Sequence, residues 1–269
     1  MGLSTSVLPW EPNEWPVAMA TSPIFSPKNY LVFRGLFTMI FAINFLGHAY
    51  EVIVTRSEGW FYFAYLTNWS LVVQMISELL LLFSACYGYR RLETTDEGAR
   101  TPMPTLIRIA LVFWSISIPV SLLVALMYWT LLRPVWELEV DEIPDYWTIF
   151  AHGINWILLT GSVFCGRLPY SVWKGGWTLL YGVVYVVWTV IHFFAKIGTP
   201  RPCVEYPQNE CPLYDVVDWH FPLDTLLVGA GIVFVAVPIA VSFTVFLVTL
   251  RDCCDKGSKR NETGKPGKI

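Results

Sequence analysis

The chain has 269 residues, 55% of them apolar, 16% aromatic and only 14% charged, with a formal net charge of -3. Soluble domains carry about 25% charged residues, so this composition excludes an ordinary water-facing globule, a disordered chain and a collagen-like fibre. The acidic balance provides no basic footprint for nucleic acid, which leaves a polytopic membrane protein.

Residues 1–29 are rich in Trp and Pro, contain one basic residue, Lys28, and read as a cytosolic N-terminal arm. A helix must satisfy its own backbone while crossing roughly 30 Å of hydrocarbon, which takes about 20 mainly apolar residues. Six stretches qualify: 30–54, 60–87, 107–132, 147–165, 176–197 and 226–250. The first is too long for a cleaved signal. None alternates as barrel strands of about 10 residues do. The sequence therefore predicts an all-α, six-span transmembrane bundle over residues 30–250, followed by a basic tail at 251–269. Pro119 and Pro238 interrupt spans, and a kink is the simplest result at each.

Lys and Arg accumulate in cytosolic segments. With six spans, the termini and the second and fourth loops share one side, which holds thirteen of the eighteen basic residues; the other side holds Arg56, Arg133, Lys196 and Arg201. Both termini are expected in the cytosol, in the plasma membrane or the endoplasmic reticulum. The acidic run Glu137, Glu139, Asp141, Glu142 and Asp145 then faces outward and reads as a solvated loop. Cys203 and Cys211 share an outer loop, where an oxidising medium favours a disulfide. Cys253 and Cys254 directly follow the sixth span and read equally as acylation sites or as inert thiols. Gly2 with Ser6 fits a permissive myristoylation pattern. The sequons at Asn68 and Asn261 fall in a span and in the cytosolic tail, so neither should be used.

Polar groups at membrane depth are costly and are the default candidates for a functional site. Thr67, Gln74 and Glu78 share a face of the second span; Asn44, His48 and Glu51 share one of the first; His152 and Asn155 lie one turn apart in the fourth; Tyr181, Tyr185 and Trp188 lead to His192 in the fifth. At 1.5 Å per residue, Thr67 lies about 10 Å below the outer end of its span, and His152 and His192 about 7.5 Å below theirs. His48 is similarly placed. Asp218 and His220, in the loop entering the sixth span, are positioned to cap this level.

Three readings fit this layer. Ser, Thr, Asn, Gln and His act as interhelical glue in membrane bundles. A hydroxyl activated by an imidazole is a nucleophile, with Asn68, Asn155 or a backbone amide available to an oxyanion. His48, His152 and His192, with Glu51 near His48, would suit zinc or iron, although no compact motif such as HExxH occurs. Glu78 reads as a structural partner for Gln74 or Arg34.

The segments Tyr65-Leu66-Thr67-Asn68-Trp69, His152-Gly153-Ile154-Asn155, Leu180-Tyr181-Gly182-Val183-Val184-Tyr185, Tyr214-Asp215-Val216-Val217-Asp218-Trp219 and Arg251-Asp252-Cys253-Cys254 resemble, in order over roughly residues 30–255, the rolling stone family. These are multi-pass membrane proteins whose namesake is implicated in myoblast fusion. More distantly, the stretch from Tyr65-Leu66-Thr67 through Val72-Val73-Gln74, together with His152-Gly153, is similar to the androgen-induced gene family. Those are membrane hydrolases that cleave fatty acid esters of hydroxy fatty acids with a threonine and a histidine, which map onto Thr67 and His152.

The combined expectation is a lipid ester hydrolase. Thr67 and His152 would be catalytic, Asn68, Asn155, His192 and Asp218 supporting or oxyanion-binding, and membrane lipids and a lipid ester the partners, with no cofactor. The rival is a non-catalytic membrane component acting in cell contact or fusion; a channel or transporter comes third, for want of an inverted repeat. The hydrolase reading expects spans two and four to be adjacent, with a polar pocket opening toward the outer leaflet.

Overall fold

The computed structural model of the protein describes residues 15–94, 102–133, 144–200, 203 and 205–263, with side chains up to 255. The Gly2 pattern, the acidic run 137–142 and the side chains of the Asn261 sequon lie outside the described residues. Helices dominate, and no strand forms among the described residues.

Six helices are long and apolar enough to cross a membrane, so the chain is an integral multi-pass membrane protein. They are span one Pro27–Thr55, span two Leu66–Thr94, span three Thr105–Leu132, span four Tyr146–Cys165, span five Val172–Phe194 and span six Pro222–Asp255. Ser26 caps span one, its Oγ accepting from the Asn29 amide, and Pro27 occupies the first turn, where a missing N–H costs nothing. Asp145 caps span four by accepting from the Thr148 amide at 3.0 Å and the Thr148 hydroxyl at 3.1 Å.

Span three is the hub. In its most apolar stretch 72% of residues are buried, against 22% for span five. Small residues Ala110, Ser117, Ser121 and Ala125 lie buried along it, which lets neighbouring backbones approach closely. Pro119 lies inside this helix and removes the bond that the Ser115 carbonyl would otherwise accept. That carbonyl instead accepts from the hydroxyls of Tyr170 at 3.3 Å and Thr178 at 3.4 Å, so the proline helps join span three to span five. At Pro238, near the start of the helix Val237–Thr263, the preceding turn Ile232–Ala236 widens to π-helix, which accommodates the missing donor.

The sequence places the start of span two at residue 60, whereas the helix begins at Leu66. Gly59–Ala64 is a 3-10 return segment entered through Ser57 and Gly59, both in the left-handed region. Its aromatic residues are as apolar as a span, so composition does not separate the two. What permits the irregular backbone is external pairing. The Ala64 carbonyl accepts from the Tyr185 hydroxyl at 3.0 Å and the Trp188 indole at 3.2 Å, and the Leu66 amide donates to the Tyr214 hydroxyl at 3.0 Å.

At both ends the helical structure extends beyond the expected span. Trp15–Ala20 forms a short helix against span two, with Trp15 stacked on Tyr87 at 5.7 Å. The last helix runs on to Thr263, and Arg251, at the start of the expected tail, is buried and donates to the Leu168 carbonyl at 2.9 Å. Toward the inner side, Arg34 of span one pairs with Glu78 of span two at 2.6 Å and donates to Ser162 of span four at 2.8 Å, with Arg34 and Glu78 only 2% and 1% exposed. Gln74 pairs elsewhere, accepting from Asn155.

Candidate active site

Spans one, two and four meet at the end that the basic-residue bias assigns outward. Gly47 of span one packs against span four: a Cβ there would clash with the Trp147 ring. Tyr146 donates a hydrogen bond to Asn44, and Arg56 pairs with Asp145 at 2.6 Å. These contacts fix the first turn of span four, from which the chain enters a π-helical turn, Phe150–Ile154, that carries His152. Single π turns recur at functional sites because they re-aim side chains within a continuous helix.

His152 and Thr67 meet across this junction, with His152 Nε2 3.1 Å from Thr67 Oγ1. The other ring nitrogen, Nδ1, lies 2.9 Å from the Thr148 carbonyl. A carbonyl only accepts, so Nδ1 carries a proton; in the neutral ring Nε2 is then the acceptor and the Thr67 hydroxyl the donor. The imidazole stacks on the Tyr128 ring, centroids 3.7 Å apart and planes 18° apart, and the His152 carbonyl accepts from Trp129 Nε1 at 2.7 Å. Thr67 is the second residue of span two, on a helical turn whose amides lack helical partners; its own amide has no acceptor among the described residues. Both side chains are half-buried.

The other expected site residues are committed elsewhere. Asn68 Nδ2 donates to the Tyr62 carbonyl at 2.8 Å and holds the 3-10 return segment. Asn155 Nδ2 donates to Gln74 Oε1 at 3.1 Å, tying span four to span two below the pair. His48 is buried edge-on to Tyr62 at 6.0 Å; its Nδ1 and the Tyr62 hydroxyl have no partner among the described residues. Glu51 pairs with Arg56 at 3.4 Å rather than with His48. His192 packs against Trp188 and lines a recess of about 10 Å³ beside Gly198 and Trp219, room for one water. Asp218 accepts from His220 Nδ1 at 2.7 Å, and His220 stacks on Tyr206 at 3.9 Å in the outer loop. That loop is closed by the Cys203–Cys211 disulfide. Among the described residues no three His, Cys, Asp or Glu side chains gather as a metal site.

Sequence reasoning missed Thr148, Tyr128 and Trp129. The first sits four residues before His152, a spacing at which a ring nitrogen can reach a helical carbonyl; the other two come from span three and leave no such signal.

The large membrane-level cavity is also not where the sequence suggests. It holds about 390 Å³, is walled mainly by apolar side chains of spans three, five and six, and reaches Leu66, next to Thr67 in the chain.

A family model described as FAR-17a/AIG1-like protein matches residues 30–203, almost two thirds of the chain. The chain belongs to the FAR-17a/AIG1-like family. The family match takes in spans one to five and therefore both Thr67 and His152, while span six lies beyond it. No curated protein matches the chain, and neither does a solved structure.

Proposed function

We propose that this FAR-17a/AIG1-like protein is an intramembrane hydrolase of lipid esters in which Thr67 is the nucleophile and His152 the general base. The carrying observation is the Thr67–His152 hydrogen bond with His152 Nδ1 held by the Thr148 carbonyl. It aims the basic nitrogen at the hydroxyl, as nucleophilic catalysis requires. The threonine–histidine resemblance carried by Tyr65-Leu66-Thr67 and His152-Gly153 supports the same assignment.

As the hydroxyl attacks the ester carbonyl, Nε2 takes its proton, and in this reading the Thr67 amide donates to the developing oxyanion. Collapse of the tetrahedral intermediate expels the alcohol, which takes the proton back from Nε2. Water then attacks the acyl-threonine and gives its proton to Nε2; collapse of the second tetrahedral intermediate releases the fatty acid as Nε2 returns that proton to Thr67 Oγ1, restoring the free hydroxyl and the neutral imidazole. Tyr128 and the Thr148 carbonyl act as positioning groups for the ring.

The test is hydrolysis of a lipid ester panel by purified protein in nanodiscs. Wild type turns over at least one ester, while Thr67→Ala and His152→Ala fall to background with folding retained. Equal turnover by wild type and both variants overturns the reading.

The second reading is a rolling stone-type role in cell contact, which the resemblance at Tyr214–Trp219 favours. The structural feature behind it is the outer loop: beside the Cys203–Cys211 disulfide lies a recess of about 540 Å³ whose lining includes Cys203, Glu205, Asp215, Asp218 and Asp224. That reading predicts normal fusion by cells carrying Thr67→Ala and loss of fusion in Cys203→Ser.

A further inference from the structure

The 390 Å³ cavity lies between Val120, Leu123 and Met127 of span three, Gly182 and Val186 of span five and Val233 of span six. Its wall on span five extends from Thr178 to Thr189, about 16 Å at 1.5 Å per residue. That is close to the thickness of one leaflet, roughly 15 Å. Tyr214, Val217 and Trp219 of the outer loop close its upper end, while Val183, Val187, Leu226 and Phe234, all exposed toward the lipid, form its rim.

Hydrogen-bonding groups along the wall are turned back into the protein. Thr178 donates to the Ser115 carbonyl, Thr189 to the Val186 carbonyl, Thr225 to the Asp218 carbonyl, Tyr185 to the Ala64 carbonyl and Trp219 to the Thr189 hydroxyl. The Tyr181 hydroxyl, which has no partner among the described residues, is itself buried away from the open space, so the wall offers a guest hydrocarbon. Water would gain little there, and the medium at the rim is hydrocarbon.

From this geometry we infer that the cavity seats one acyl chain of an outer-leaflet lipid, entering sideways over the Val183–Phe234 rim. Resting on the hydrolase reading, the seated chain is the acyl part of the ester presented to Thr67. Two lining residues are chain neighbours of the site: Leu66 precedes Thr67, and Met127 precedes Tyr128, whose ring stacks on His152. The cavity then selects substrates by chain length, because each further CH₂ removed from contact with water adds to binding.

Gly182 and Gly229 line this space, and a Cβ at either meets nothing within 4 Å. Gly182→Phe and Gly229→Phe therefore fill the cavity from two independent spans without a backbone clash. Full-length protein in nanodiscs is photolysed with a palmitic acid probe carrying a diazirine in its chain, and the same samples are assayed on 4-methylumbelliferyl palmitate and butyrate. Expected are adducts concentrated in peptides of spans three, five and six, at least tenfold fewer in both Phe variants. The palmitate-to-butyrate rate ratio falls at least tenfold in those variants while butyrate turnover is kept. Adducts scattered evenly over lipid-facing helices, and unchanged in the Phe variants, overturn the seat. If wild type cleaves neither ester yet the adducts concentrate and vanish as expected, the seat stands as a lipid site and the hydrolase reading falls.

Discussion

Arg34, Glu78 and Ser162 toward the inner side, and Thr67 with His152 at the outer end, both place hydrogen-bonding groups among membrane helices, yet the two clusters differ in composition and burial. The inner one consists of an ion pair and a hydroxyl drawn from three spans, with the charges almost fully buried. Its members neutralise one another. In the outer cluster the imidazole and hydroxyl are half-buried, the imidazole is held at its other nitrogen, and the Thr67 amide has no acceptor among the described residues. Polarity at membrane depth therefore does not by itself mark a reactive site. What distinguishes the proposed site is an imidazole nitrogen within hydrogen-bond distance of a hydroxyl that is only half-buried.

The largest expected effect comes from unbalancing the inner cluster. Glu78→Ala leaves Arg34 buried without its counter-charge and should lower stability by about 3–5 kcal/mol, read from thermal unfolding in nanodiscs, whereas replacing Arg34 and Glu78 together by Leu should recover most of it. At the outer cluster the pattern inverts. His152→Ala should cost about 10²–10⁴-fold in ester turnover but only about 1 kcal/mol of stability, the worth of a hydrogen bond. A variant that loses both equally would erase the distinction between the clusters.

Between these lies Gly47→Ala. Its Cβ would push the Trp147 ring away from span one, at a cost of about 1–3 kcal/mol for overpacking, and should lower turnover by displacing the turn that carries His152. The smallest effect belongs to the exposed loop. The Lys196 ammonium, hydrogen-bonded to Glu210, holds that carboxyl below its ordinary range. The pair's contribution is therefore present above the usual carboxylate range and lost as pH falls through the lowered value. The hydrogen-exchange protection factor near Glu210, taken relative to the intrinsic rate at each pH, should fall slightly on acidification in wild type but not in Lys196→Ala.

The six spans are legible because length and apolarity alone determine them, and span two is misplaced by six residues because Trp60–Tyr65 is as apolar as a helix. Tyr185, Trp188 and Tyr214, which satisfy that segment's backbone, lie more than a hundred residues away. Depth arithmetic places Thr67, His48, His152 and His192 at one level, but rise per residue gives position along the membrane normal and none within its plane. His192 accordingly packs against Trp188, and Asp218 pairs with His220. The amides of Asn68 and Asn155 are used by Tyr62 and Gln74, a matter of packing that no motif displays. For Thr67 and His152, motif resemblance narrowed the choice to two residues that the fold sets 3.1 Å apart.

The most direct measurement of the central claim is intact-protein and peptide mass spectrometry after treatment with a fluorophosphonate. A single adduct mapped to Thr67, formed rapidly in wild type and at least tenfold more slowly in His152→Ala, is the predicted result. An unmodified Thr67 in folded wild-type protein, or an adduct that forms equally fast without His152, would contradict it.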